Sequence, residues 1–464
     1  MRSLLGSFTP SRCFQVATVI LALSLAVPSL THAQTFSVLY NFGANSGDPL
    51  GLSSPGLVAQ GRDGNLYSTS YGGGAYGYGT VFRVTPAGEM TVLHSFDGND
   101  GSVPYSGLIL GRDGNFYGTT SSGGTFAAGT IFKITAKGKL TVLYSFTGGG
   151  DGANPMTPPV QGTDGNYYGT TPNAGGRYGR GTVFKMSAAG VLTTLYQFIR
   201  CCFPMAPLIQ SMEGDFYGTQ VPTDGRLFKI TPGGRFSGFH RFTGSDGSNP
   251  IAPLMQASDG NFYGTTEAGG ENGAGVIYRI TLVRVLTVLH NFNGNTDGAL
   301  PYAGLVEATD GNFYGATVTG GGPFAVGTLF SLSPQGEFSV LYDFDVTTGG
   351  QPVVTPLQHT NGLLYGTAQN GLYGGGVFYS LDVGLGPFVS LLSTSGKVGK
   401  TIQVLGQGFI GTTDVSFNGT PAAYVVVKDT FLKASVPVGA TSGFLTVTSP
   451  TGTLKSNRQF RVKP

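Results

Sequence analysis

One short phrase, in its commonest form Asp-Gly-Asn, an aromatic or aliphatic residue, Tyr, Gly and Thr, recurs seven times along this chain. The copies begin at Asp63, Asp113, Asp164, Glu213, Asp259, Asp310 and Asn361, spaced 46 to 51 residues apart. A unit of that length cannot bury its own apolar face and must stack on its neighbours, so the period dictates a repeat architecture.

Residues 107–146 show how one unit is built. Gly107 to Leu110 leads into the turn Arg112-Asp113-Gly114-Asn115, and Phe116 to Thr120 returns. Asp-Gly between two β-prone runs marks a hairpin, because Gly and Asn accept the positive φ that such turns demand. After a glycine-rich loop, Thr130 to Thr135 alternates apolar and polar residues, and a second tight turn leads into Leu140 to Phe146. Four short antiparallel strands per unit predict one propeller blade.

Counting strands predicts closure. The third strand appears seven times, and the fourth also seven times, ending at Phe42, Phe96, Phe146, Phe198, Phe242, Phe292 and Phe344. The first of these precedes any complete blade, and the last unit has none of its own. The expectation is an all-β chain: a seven-bladed β-propeller over residues 34–383, in which Thr35 to Phe42 supplies the outer strand of the last blade, followed by an Ig-like β-sandwich over 384–464. Strand order puts the tight turns on one face and the long loops between second and third strands on the other. The long-loop face is the expected binding face.

Residues 1–33 read as a secretory leader, with Arg2 and Arg12 before the apolar run Val16 to Val27. That run is shorter than the roughly 20 residues a membrane span needs. The remaining chain is expected to be exported, periplasmic, cell-surface or extracellular, and monomeric. It balances 24 basic against 24 acidic residues, which leaves no footprint for a nucleic-acid backbone. The balance is uneven: from Gly384 onward eight Lys and Arg face two Asp, against sixteen and twenty-two in the rest. Cys13 lies in the leader, and the adjacent Cys201 and Cys202 read as buried thiols or one strained local link.

From about Gly386 the period stops. Gly406-Gln407-Gly408-Phe409, Phe417-Asn418-Gly419-Thr420-Pro421-Ala422 and Val436-Pro437-Val438-Gly439 follow in order. This stretch resembles the IPT/TIG immunoglobulin-like domain, which implies a spacer or adhesion module without catalytic residues. The repeats, with their Gly-Thr-x-Phe and Val-Leu-x-x-Phe phrases, resemble the GloVer-type tandem repeat of exported bacterial proteins, a family with no established reaction.

Chemistry is sparse. One carboxylate per Asp-Gly-Asn turn falls short of the about six to eight oxygens that calcium takes, so these aspartates read as turn formers. Asp100, Asp151, Asp246 and Asp297 precede the blade-opening prolines Pro104, Pro155, Pro250 and Pro301 and are the weak metal candidates, with calcium the ion considered. His94, His240 and His290 replace Tyr40, Tyr144, Tyr196 and Tyr342 of sister units, which places them a blade apart, too far to share an ion. No nucleophile elbow, paired carboxylates, phosphate loop or zinc spacing is present, so no catalytic residue is assigned. The loop aromatics Tyr76, Phe126, Tyr178, Phe324 and Tyr373, with Tyr78, Arg180 and Asn272 in the same loops, form the candidate ligand-binding set. These features point to a non-catalytic recognition or adhesion protein, without cofactor, binding a glycan or an extracellular protein. The alternatives are a secreted propeller enzyme, a lyase or hydrolase on a polysaccharide or lactone, and a purely structural surface component.

Overall fold

A computed structural model describes residues 34–52, 57–175, 179–199, 203–221 and 225–464, of which Gln34–Pro464 form one compact unit. Residues 1–33, expected to be a secretory leader, and Tyr178, Cys201 and Cys202 lie outside the described residues. Every named element is a β-strand. Repeat 2 shows the pattern: an inner strand Ile109–Leu110, a second strand Phe116–Thr120, a third Thr130–Ile134 and an outer Leu140–Ser145, paired in that order. The Asp113 carboxylate closes the first turn by accepting hydrogen bonds from the Asn115 amide and, at 2.8 Å, from the Tyr117 hydroxyl. The same clasp holds Tyr67 to Asp63, Tyr168 to Asp164, Tyr263 to Asp259 and Tyr314 to Asp310. The turn aspartates are therefore structural.

Residues 35–382 make sheets of this kind in sequence order. Repeat 1 differs in carrying a fifth strand, Pro49–Leu52, on the strand Leu66–Gly73. The last repeat takes its outer strand from the start of the chain, since Thr35–Asn41 pairs antiparallel with Val377–Asp382 from Thr35↔Asp382 to Asn41↔Val377. Outer strands are the exposed edges of such sheets. Each carries a register shift, as at Val142/Tyr144, which blunts the edge against pairing with another chain.

Three layers join successive sheets. Toward the outside, each fourth-strand Phe packs edge-on against the third-strand ring of the next sheet, as in Phe96–Phe132, Phe146–Phe184, Phe292–Phe330 and Phe344–Tyr379. Phe42, from the N-terminal strand, makes the same contact with Phe82 of repeat 1, with ring centroids 5.2 Å apart. In the middle layer, Tyr67 stacks on Phe116, Tyr117 on Tyr167, and Tyr168 on Phe216, at 4.0 to 4.2 Å. Burial of these rings dominates the stability of the array, at about 1.5–3 kcal/mol for each side chain.

The third layer is a chain of amide clasps along the inner strands. Each inner-strand glutamine accepts a hydrogen bond from a backbone N–H in the turn of the preceding repeat: Gln161 from Arg112, Gln210 from Thr163, Gln256 from Met212, Gln358 from Thr309 and Gln60 from Thr360. Glu307 does the same for Ser258. The position is Leu110 between repeats 1 and 2, where no such acceptor exists.

The C-terminal residues form two sheets, of four and five strands, around a shared core that includes Val389, Ile402, Phe417, Leu432, Leu445 and Phe460. This sandwich seats on the tight-turn face of the repeats, at the junction lacking its glutamine. Gln403 accepts a hydrogen bond from the Arg62 guanidinium and donates one of 2.7 Å to the Arg112 carbonyl, to which Arg62 also donates. Arg62 lies over the Phe431 ring, and its carbonyl accepts from Thr430. A second contact, Gln407 to Thr360, falls on the last repeat, and a third, Arg458 to the Gln256 carbonyl, on repeat 5.

Candidate functional site

The long-loop face presents the expected aromatics to solvent. Tyr76 is 62% exposed, Tyr373 59%, Phe126 56%, Phe324 53% and Tyr78 49%, so these rings are not wedges between neighbouring sheets. Arg180 is exposed in the corresponding loop of repeat 3, and Asn272 is tied down by donating to the Phe292 carbonyl.

The structure does not gather the carboxylates of that face. The Asp151 carboxylate accepts from the Tyr144 hydroxyl at 2.9 Å and from the Thr147 amide. Asp100, Asp246 and Asp297 pair with His94, His240 and His290 of their own repeats, at 2.6, 2.9 and 2.9 Å. Burial pushes the Asp151 and Asp246 carboxyls up, but the hydrogen bonds they accept outweigh it and hold both below the ordinary value. Burial pushes His290 down against the pull of Asp297, favouring its neutral form. These pairs close the connections between sheets. Among the described residues no three His, Cys, Asp or Glu side chains converge on one point.

Convergence occurs on the opposite face. Between the tight-turn ends of repeats 2 to 6 and the sandwich lies a cleft of about 1610 Å³. Its floor is made by inner strands and turns, including Gln161, Gln210, Gln256 and Glu307, and its roof by the sandwich. Seven basic side chains line it against two acidic ones. Two backbone pairings gather the basic group: Ser395–Gly396 runs parallel to the end of the strand Gly452–Val462, with Ser395 opposite Arg461, and the Lys463 amide donates to the Gly396 carbonyl. Lys397, Lys400, Arg461 and Lys463 thereby sit at one end of the sandwich. Burial, then the charges of Arg112 and Lys463, lower the Lys400 ammonium below the usual lysine value. Glu307, with a side chain only 10% exposed, accepts from Ser258 and faces Arg458 at 3.9 Å.

The basic bias of the tail and the single Glu among the inner-strand glutamines are both visible in the sequence. Their meeting is not, because it depends on how the sandwich seats. Leu110, the one inner-strand residue unable to form the amide clasp, lies at the junction of repeats 1 and 2 that Gln403 bridges.

Among solved structures, the chain is similar to virginiamycin B lyase from Staphylococcus aureus at 15% identity, over 75% of this chain and 99% of that one, with a TM-score of 0.52. It is also similar to a copper-bound fungal alcohol oxidase at 15% identity, over 89% of this chain and 98% of that one, with a TM-score of 0.50. No curated protein matches by sequence. At these identities the likeness is one of fold, an all-β, propeller-like array of antiparallel sheets. The expectation of a non-catalytic recognition or adhesion protein is corrected here: the similar structures are enzymes, so neither this fold nor the want of a linear catalytic motif is a reason to set catalysis aside. The Gloeobacter/Verrucomicrobia repeat matches residues 26–224 and again 208–423. The chain belongs to the Gloeobacter/Verrucomicrobia repeat family.

Proposed function

We propose that this chain is an exported enzyme, a lyase or hydrolase acting on a polysaccharide or lactone, built as a seven-bladed propeller with an IPT/TIG-type sandwich. The cleft between ring and sandwich is its substrate site. The observation that carries this reading is the convergence of charged side chains from several repeats and the sandwich on one large concave space, while the carboxylates of the other face are spent on local bonds. Large clefts with converging titratable groups are where catalysis is to be sought first.

The similarity to a lyase and an oxidase supports an enzyme on this fold without choosing the reaction. The seven-blade count rests on the cyclic order of the Phe contacts, from Phe42–Phe82 through Phe344–Tyr379. In the cleft, Lys400, held below the usual lysine value by burial and by the charges of Arg112 and Lys463, is the candidate group for proton transfer. Arg112 and Lys463 are suited to holding negative charge as it develops on a substrate.

The test is incubation of residues 34–464 with a panel of acidic and neutral polysaccharides and of lactones. Absorbance of unsaturated products, reducing ends and proton release are followed. Turnover of one class is the expected result, and no turnover across the panel contradicts the proposal.

A further inference from the structure

The cleft holds more positive charge than its surroundings neutralise. Lys397, Lys400, Arg461 and Lys463 make no ion pair among the described residues. Of the two carboxylates present, Glu307 is engaged by Ser258 and Arg458, and Glu213 is approached by the Gln256 amide at 3.4 Å. The Lys400 ammonium donates only to the Ser395 carbonyl, and Lys455 lies over the Phe444 ring at 3.8 Å. Gathering like charges along one concave surface is unfavourable, and it raises a positive potential there. A bound anion relieves that cost.

We infer that the cleft binds an acidic oligosaccharide, a carboxylate-bearing sugar chain lying between the sandwich and the inner strands of repeats 2 to 6. Two observations choose the class. The volume exceeds the about 300–1,000 Å³ of ordinary small-molecule sites, which suits several linked sugar units over a single small anion. Six of the eight basic side chains after Gly384 line the cleft, while residues 34–383 carry sixteen basic against twenty-two acidic side chains. A long polyphosphate running beyond the cleft meets that acidic body, whereas a short chain seated in the cleft does not.

This inference rests on the proposed enzyme reading for its choice of a sugar ligand, and binding tests it apart from turnover. Residues 34–464 are titrated with alginate and hyaluronan oligosaccharides, with neutral malto-oligosaccharides, with an acidic peptide and with single-stranded DNA, at low and high salt. The expected result is saturable binding of the acidic sugars alone, weakened by salt. Lys397→Gln and Lys463→Gln should each weaken it about tenfold, the loss of one charge-assisted contact. Lys428→Gln and Lys433→Gln, which remove the same charge from the sandwich away from the cleft, should leave it unchanged.

Equal binding of neutral sugars, preference for the peptide or DNA, or equal loss in all four variants overturns the inference. Acidic-sugar binding without turnover upholds it and counts against the enzyme reading. Turnover of a neutral polymer or lactone without acidic-sugar binding does the reverse.

Discussion

The residue just before each blade-opening proline shows how local strain is tolerated when a repeat needs it. Val103, Asn154, Asn249, Leu300 and Gln351 all sit near φ +55°. Each of Val103, Asn154 and Leu300 donates its N–H to a loop carbonyl of the preceding repeat: Tyr78, Ala128 and Ala274. That bond holds neighbouring sheets together and fixes the left-handed backbone. Asn tolerates this conformation and a β-branched residue does not. Val103→Asn, copying repeats 3 and 5, should therefore stabilise the chain by about 1 kcal/mol, seen as a raised denaturation midpoint. Gly129 meets a harder limit, with φ +95° and a Cβ position blocked by the Thr120 carbonyl oxygen. The turn aspartates predict the acid limb of stability. Burial raises Asp164, but Asn166, Tyr168 and Lys185 hold its folded pKa at about 2. Its contribution is thus complete above the ordinary carboxylate value and is lost as pH falls through about 2. Asp164→Asn should lower the melting temperature at pH 6 by an amount worth under about 1 kcal/mol, since the ion pair with Lys185 is partly exposed, and the difference should shrink steadily between about pH 4 and pH 2. A gap that stays constant over that range would assign the effect to shape instead of charge.

At the scale of elements, the strand Thr35–Asn41 is far in sequence from its partner, yet the sequence makes the pairing legible because its final Phe repeats the motif of every other outer strand. Phe42 is fully buried between the last repeat and the first. Phe42→Ala should cost about 3–5 kcal/mol, and an equal loss for Phe96→Ala in equilibrium unfolding would show the seam to be as tight as an interior junction. The seam has a further tie in His359. Its Nε2 donates to the Gly64 carbonyl at 2.9 Å, while Nδ1 accepts from the Asn361 amide, an arrangement that requires the neutral ring. Burial lowers its pKa accordingly. His359 stands alone in the sequence, and nothing there announces this role, because the partner carbonyl belongs to repeat 1. The histidines at Tyr positions were legible as structural for the opposite reason, since each sits in a repeated frame.

At the scale of the molecule, the period of the repeats and the composition of the tail specify two bodies, and the docking of one on the other creates a cleft lined by both. The loop aromatics were the visible lead, and they do stand in solvent, but the charged groups meet across the ring on the tight-turn face. What hid the cleft was the absence of any local pattern for docking: Gln403 reaches Arg62 and Arg112 across more than half the chain. No helix among the described residues is long and apolar enough to cross a membrane. The most direct measurement compares turnover of the preferred substrate by three forms of residues 34–464: the unchanged chain, Lys400→Gln with Arg461→Gln, and Tyr76→Ala with Tyr373→Ala. The cleft pair should abolish turnover while the rim pair retains it, with all three equally folded. Turnover that survives in the cleft pair and disappears in the rim pair would contradict this and place the site on the long-loop face.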